Sequence, residues 1–114
     1  MPISMTPETI EDALEWLRKA FDSEAARRES VRYQIDLGGE AGADLWLDVR
    51  DGLLELGRGR IGGPDVTFRV CEADFLALLA GRQNPDLLFM EDRLEIEGEL
   101  ALALKLRKLF RTPV

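Results

Sequence analysis

The sequence predicts an α+β domain in which a five-stranded, mostly antiparallel sheet has one face covered by helices. Three observations lead to this prediction. Segments with apolar residues at helical spacing occur beside segments in which every second residue is apolar. That alternation is typical of strands with one buried and one solvated face. The connections between strands are also too short for the crossovers that parallel neighbours usually need.

The first element is a helix at about residues 7–28. Thr6 offers a hydroxyl as the N-cap, and Pro7 occupies the first helical position, where its missing N–H is not needed. The apolar residues of this segment recur at helical spacing and form one stripe for packing against a core. They are Ile10, Ala13, Leu14, Leu17 and Phe21.

Four strands follow, at about residues 31–37, 44–50, 53–56 and 66–70. Asp51-Gly52 is a hairpin turn between the second and third strands, because these residue types tolerate the positive φ that such turns require. A glycine-rich loop that ends at Pro64 joins the third strand to the fourth. These short links predict that successive strands pair antiparallel.

Two short helices and a fifth strand come next. The first helix covers about residues 72–80 and ends at Gly81. The second begins at Asn84-Pro85 and continues to Met90. The fifth strand covers about residues 93–97, where apolar and charged residues alternate.

The last helix, at about residues 99–111, is apolar on more than one side. Leu100 and Leu104 point away from the main stripe, which contains Leu102, Leu106 and Leu109. A helix of this kind is covered on both sides, lines an internal cavity, or meets a partner. Periodicity alone leaves these three alternatives open.

The composition excludes several classes of function. The chain has no histidine, which removes Ser-His-Asp and Cys-His nucleophile systems and histidine-ligated zinc sites. A net charge of −7 repels phosphate backbones, so no nucleic-acid partner is expected. Cys71 is the single cysteine and cannot form an intrachain disulfide. We interpret it as a structural residue, because acidic neighbours disfavour a reactive thiolate.

The 114 residues are expected to form one domain, since a second core would leave too little apolar surface for either. The longest apolar run, residues 75–80, is far too short to span a membrane. The first residues lack a basic segment followed by an apolar core. We therefore expect a cytoplasmic protein.

Two patterns resemble functional sites but are better explained as structure. The segment from Gly57 to Gly62 has the spacing of a dinucleotide-binding fingerprint, but Pro64 and a strand follow it where that fingerprint requires a helix. We interpret it as a loop between strands. The acidic residues near the fifth strand have no metal-ligand spacing and are expected to lie on a solvated face.

Residues 65–110 resemble the sterol carrier protein type 2 family of lipid-binding domains, and the order of helices and strands is similar over most of the chain. We expect a bacterial or archaeal single-domain member. The segments that carry the resemblance are Asp65-Val66-Thr67-Phe68, Asp74-Phe75, Leu78-Leu79-Ala80-Gly81-Arg82, Asn84-Pro85, Phe89-Met90, Leu94-Glu95-Ile96-Glu97-Gly98 and Leu102-Ala103-Leu104-Lys105-Leu106.

The resemblance implies a hydrophobic tunnel between sheet and helices that holds a fatty acyl, sterol-like or isoprenoid ligand. It also implies no catalysis, and we expect no cofactor and no metal. Carried over by position, it assigns the tunnel lining to Phe75, Leu78, Leu79, Phe89, Met90, Leu102 and Leu106. The apolar face of the last helix adds Leu109 and Phe110.

The chain departs from the family pattern at two places. Leu88 replaces a small residue and is expected to narrow the tunnel. The acidic fifth strand weakens docking on anionic membranes, so membrane contact is expected to be transient at most.

Two functions remain open at this point. The first is a lipid carrier that needs few polar contacts and therefore selects loosely among lipids. The second follows from the segment of residues 87–98, which also resembles the bacterial branch that assists ubiquinone biosynthesis. It is an accessory module that presents a polyprenyl quinone precursor to biosynthetic enzymes. A small hydrolase or thiol enzyme ranks last, because the chain lacks imidazole.

Overall fold

A computed structural model describes residues 7–38 and 44–110 of the chain. Within those ranges the order of helices and strands agrees with the predicted order. The elements are α1 (Ile10–Ala20), β1 (Ser30–Asp36), β2 (Leu45–Arg50), β3 (Leu53–Arg58), β4 (Val66–Val70), α2 (Glu72–Leu79), α3 (Pro85–Met90), β5 (Leu94–Gly98) and α4 (Leu100–Leu109).

The five strands form one sheet in the order β3-β2-β1-β4-β5. Strand β2 pairs antiparallel with β1 and with β3, and β4 pairs antiparallel with β5. The predicted α+β class and mostly antiparallel sheet are therefore confirmed. One detail was wrong, because β4 follows β3 in the chain but pairs in parallel with β1.

The register explains how a short connection makes this parallel pairing. Val66 at the start of β4 lies beside Tyr33, which is level with Leu56 near the end of β3. The chain therefore moves sideways across the sheet and hardly travels back along the strands. Three interstrand spacings amount to about 14 Å, and residues 59–65, if extended, reach about 23 Å.

The connection between β3 and β4 lies on the sheet face away from the helices, where a buried amide holds it. Gln34 Nε2 donates hydrogen bonds to the carbonyls of Leu45 and Gly59, both at 3.1 Å, and Gln34 Oε1 accepts from Ile61 N–H at 2.9 Å. Asp65 accepts a hydrogen bond from Arg32 N–H at 2.9 Å. The segment is a connection between strands, as predicted.

Helix α1 is shorter than predicted, and it starts later. Thr6 lies outside the described residues. Thr9 is the N-cap, and its hydroxyl accepts a hydrogen bond from Asp12 N–H at 3.1 Å.

The predicted continuation of the first helix to residue 28 was wrong, because α1 ends at Ala20. Phe21 is extended (φ −61°, ψ 129°) and forms an isolated bridge with Phe110, the residue after α4. The carboxylate of Asp22 then accepts hydrogen bonds from the N–H groups of Glu24 and Ala25 and turns the chain. This local bonding competes with a continued helix, as aspartate side chains often do.

The later elements end close to their predicted residues. Helix α2 is followed by Gly81 at φ +78°, and the side chain of Asn84 caps α3. Helix α4 begins and ends within two residues of the prediction. Cys71 is exposed at the N-cap of α2, so its thiol does not pack in the core as a structural cysteine would.

The core lies between the helices and one sheet face. On β1 and β2 the alternate residues that face the helices are buried, whereas their neighbours form ion pairs on the other face. Trp46 lies on that other face with Asp44 and Asp48, as predicted from the alternation. Its indole covers Gly57, the residue opposite in β3, where an added Cβ would lie 2.8 Å from the ring.

Candidate ligand-binding cavity

A cavity of about 430 Å³ lies between the sheet and the helices. This volume falls in the range of small-molecule binding sites. The floor consists of side chains from four strands, which point to the helix side because they occupy alternate positions. They are Ile35, Leu47, Phe68, Val70, Leu94 and Ile96.

Each of the four helices contributes to the other side of the cavity. Leu17 comes from α1, Phe75 and Leu78 from α2, and Phe89 from α3. Helix α4 presents five lining residues, of which Leu100, Ala103, Leu104 and Arg107 follow helical spacing and Leu106 is the fifth. Of the three alternatives that the sequence left open for the apolar faces of this helix, the structure shows the lining of a cavity.

The cavity opens to solvent between α3 and α4. Phe89, Leu100 and Leu104 line it and yet remain 50%, 55% and 51% exposed. Asp86 of α3 and Arg107 of α4 also line it and form an ion pair, with Arg107 Nη2 2.5 Å from Asp86 Oδ1. The opening is therefore bordered by apolar side chains and by one pair of opposite charges.

The structure brings five of the nine predicted site residues to the cavity, namely Phe75, Leu78, Phe89, Leu106 and Phe110. The other four are placed elsewhere in the described part of the chain. Leu79 and Leu102 pack against the core, Leu109 is fully buried in it, and Met90 is 77% exposed. A role in lipid binding stays a prediction for all nine.

Leu88 is also placed differently from expectation. It was expected to narrow the tunnel, but its side chain is fully buried in the core and is not among the residues that line the cavity. Sequence reasoning missed all six floor residues, on β1, β2, β4 and β5. The alternation of apolar residues in these strands is the signal that could have identified them. It missed Asp86 and Arg107 as well, and no local pattern marks those two.

Two polar contacts fix α4 over the sheet. The hydroxyl of Tyr33 on β1 donates a hydrogen bond to the carbonyl of Leu102 at 2.8 Å, and Lys105 Nζ lies 2.9 Å from Glu29 Oε1. The ring of Tyr33 also stacks on Phe68, a cavity residue, with centroids 5.9 Å apart. These contacts hold the helix that forms one side of the opening.

Burial raises the pKa of the Tyr33 phenol well above its usual range, and the nearby carboxylates of Glu29 and Asp65 raise it further. The folded protein therefore keeps the phenol protonated at a pH where the unfolded chain loses its proton. Stability from this group is fully present below pH 10 and falls as the pH rises above the unfolded pKa of about 10.

This difference predicts an alkaline loss of stability that depends on one residue. Between pH 10 and pH 11 the wild-type chain is expected to lose about 1 kcal/mol through Tyr33, a loss that Tyr33→Phe lacks. Urea unfolding at both pH values measures it. Because Tyr33 is the only tyrosine, phenolate absorbance should appear only on unfolding. Phenolate absorbance from the folded protein at pH 10.5 would contradict the buried phenol.

No helix in the described ranges is long and apolar enough to cross a membrane. Among the same residues, no group of three or more histidine, cysteine, aspartate or glutamate side chains is arranged to hold a metal ion.

Several solved structures share this fold, and three of them are described next. The sec-alkylsulfatase Pisa1 from Pseudomonas sp. has a TM-score of 0.79 at 15% identity, over 91% of this chain and 16% of that one. Palmitated SCP2L2 from Aedes aegypti has a TM-score of 0.68 at 23% identity, over 90% and 91%. The UbiJ-SCP2 ubiquinone synthesis protein has a TM-score of 0.62 at 18% identity, over 76% and 75%.

Curated relatives match by sequence as well. The chain is 30% identical over 112 residues to hydroxysteroid dehydrogenase-like protein 2 of Mus musculus, covering 93% of this chain. It spans only 23% of the length of that relative. It is 26% identical over 92 residues to non-specific lipid-transfer protein-like 1 of Caenorhabditis elegans, covering 79% of this chain and 78% of the relative.

A family model extends the match over nearly all of the described chain. The model described as the SCP-2 sterol transfer family matches residues 11–111, from α1 to just beyond α4. That range includes every strand of the sheet and every residue that lines the cavity. The chain therefore belongs to the SCP-2 sterol transfer family.

Proposed function

We propose that this protein is a non-catalytic lipid carrier that holds the apolar part of a fatty acyl, sterol-like or isoprenoid ligand between its sheet and its helices. The observation that carries the proposal is the apolar cavity of about 430 Å³ with an opening between α3 and α4. Two relatives support it by name, since one is a lipid-transfer protein-like chain and another is a palmitated protein.

The binding energy comes from transfer of the ligand out of water. Each methylene that enters an apolar site gains about 0.8 kcal/mol, so roughly ten to twelve methylenes supply about 8–10 kcal/mol before ordering losses. Apart from Asp86 and Arg107, the lining side chains are apolar. The protein therefore distinguishes ligands mainly by chain length and width.

We propose further that the 114 residues act as one lipid-binding unit in the cytoplasm, with at most transient membrane contact. The exposed apolar side chains at the opening support such contact, because a lipid entering from a bilayer would pass them first. The acidic side chains on β5 and at its start limit the attraction to anionic membranes.

Native mass spectrometry of the freshly purified protein tests the carrier function. We expect an adduct with the mass of one lipid per chain, and saturable binding when the delipidated protein is titrated with a fluorescent fatty acid. An absence of both would contradict the proposal. The same spectrum reports how many subunits the protein contains.

The second candidate function is an accessory module of polyprenyl quinone biosynthesis. It is favoured by the resemblance of residues 87–98 to the bacterial branch that assists ubiquinone synthesis, and the UbiJ-SCP2 protein shares the fold. On this alternative, a deletion strain has lowered quinone levels, and the tagged protein recovers the biosynthetic enzymes from native cells. Normal quinone levels in the deletion strain would contradict it.

A further inference from the structure

Asp86 and Arg107 are the two charged residues of an otherwise apolar cavity lining. They come from different helices and meet at the opening, with Arg107 Nη2 2.5 Å from Asp86 Oδ1. Their side chains are 67% and 51% exposed, so the pair is reached from both solvent and cavity. A charged group at the end of an apolar cavity lies where the polar end of a bound lipid would be placed.

Exposed pairs of this kind are weak and exchange easily, because water screens the attraction and two side chains have to be ordered. A guanidinium presents five N–H donors in a planar fork that can pair with both oxygens of a carboxylate. A single hydrogen bond uses only one of these donors. Within the described part of the chain, Asp86 is the one side chain that bonds to Arg107. Other N–H donors of Arg107 are therefore available to a second carboxylate, or to one that replaces Asp86 and binds through both oxygens.

We propose that Arg107 binds the carboxylate of a long-chain fatty acid whose hydrocarbon tail fills the cavity, and that Asp86 occupies this position when no ligand is bound. The inference rests on the proposed lipid-binding function and names the head group that the site accepts. Asp86 is a carboxylate at the place where the ligand carboxylate would bind, so its ion pair with Arg107 already shows the chemistry that the site recognises. When the fatty acid binds, its carboxylate replaces that of Asp86 as the partner of Arg107. The guanidinium of Arg107 is therefore paired both before and after binding.

The test compares two ligands that differ only in the head group, palmitic acid and hexadecanol, on the full chain at pH 8. We expect Arg107→Gln to weaken palmitate binding by about fivefold, the upper range for an exposed charge pair, and to leave hexadecanol binding unchanged. Asp86→Asn removes the competing carboxylate and should strengthen palmitate binding by about two- to threefold. The affinity for hexadecanol should again equal that of the wild type.

Lys108→Gln is the matched control, because it removes the same charge from the next residue of α4, which is exposed and does not line the cavity. It should leave both affinities unchanged. The inference is overturned if Arg107→Gln and wild type bind palmitate equally, if Lys108→Gln weakens palmitate as much, or if Asp86→Asn weakens it. In those cases hexadecanol binding still supports the carrier function. If wild type binds neither ligand, the carrier function itself fails.

Discussion

Phenylalanine in place of Ala103 is expected to weaken the binding of a long-chain lipid by about fiftyfold while the protein stays folded. Ala103 lies on α4, is nearly fully buried, and lines the cavity. A phenyl ring there would occupy space that the ligand needs. If it displaces about three methylenes, the loss is about 2.4 kcal/mol, which corresponds to the stated factor. Titration of delipidated protein with a fluorescent fatty acid measures the change.

Ala101 supplies the matched control on the same helix. It is exposed and is not a lining residue, so Ala101→Phe adds the same ring outside the cavity and should keep wild-type affinity. The melting temperature of Ala103→Phe should not fall, because filling an apolar cavity commonly adds about 0.5–2 kcal/mol of stability. Unchanged affinity in Ala103→Phe would mean that the lipid binds elsewhere.

The elements of this fold could be predicted because each depends on a local pattern. The apolar alternation in β1 and β2 marks the helix-facing side of the sheet, and Asn84-Pro85 and Gly81 mark helix boundaries that the structure confirms. The end of α1 depends on the local hydrogen bonds of Asp22 and also on a contact with the other end of the described chain. Phe21 leaves the helix to pair with Phe110, and nothing within the segment indicates that partner.

The cavity could be predicted only in part, since periodicity shows which side chains point inward but not whether they meet. Leu104 lines the cavity, whereas Leu109 of the same helix, which was predicted to line the tunnel, is packed in the core. Five positions along an α-helix turn the side-chain direction by about 140°, so the two leucines meet different neighbours. The ion pair between Asp86 and Arg107 could not be predicted from the sequence either, because the packing of two helices brings together residues 21 positions apart.

Alanine in place of Gly98 is expected to reduce the free energy of unfolding by at least about 3 kcal/mol, because it combines an unfavourable φ with a backbone clash. Gly98 ends β5 at φ +116°, and an added Cβ would lie 2.4 Å from the carbonyl oxygen of Asp65. The neighbouring backbone of β4 is held by the strand pairing and cannot easily withdraw. Urea unfolding measures the loss.

Two other glycines separate the two causes. Gly81 has a positive φ of +78° with nothing within 4 Å of an added Cβ, so Gly81→Ala should cost about 1 kcal/mol through its backbone conformation alone. Gly62 has neither feature, and Gly62→Ala should stay within about 0.5 kcal/mol of wild type. A Gly98→Ala variant that fails to fold agrees with this ranking. If Gly98→Ala lowers the free energy of unfolding no more than Gly81→Ala does, β4 does not pack closely on the turn from which α4 starts. That result would also contradict the placement of Leu100 at the opening.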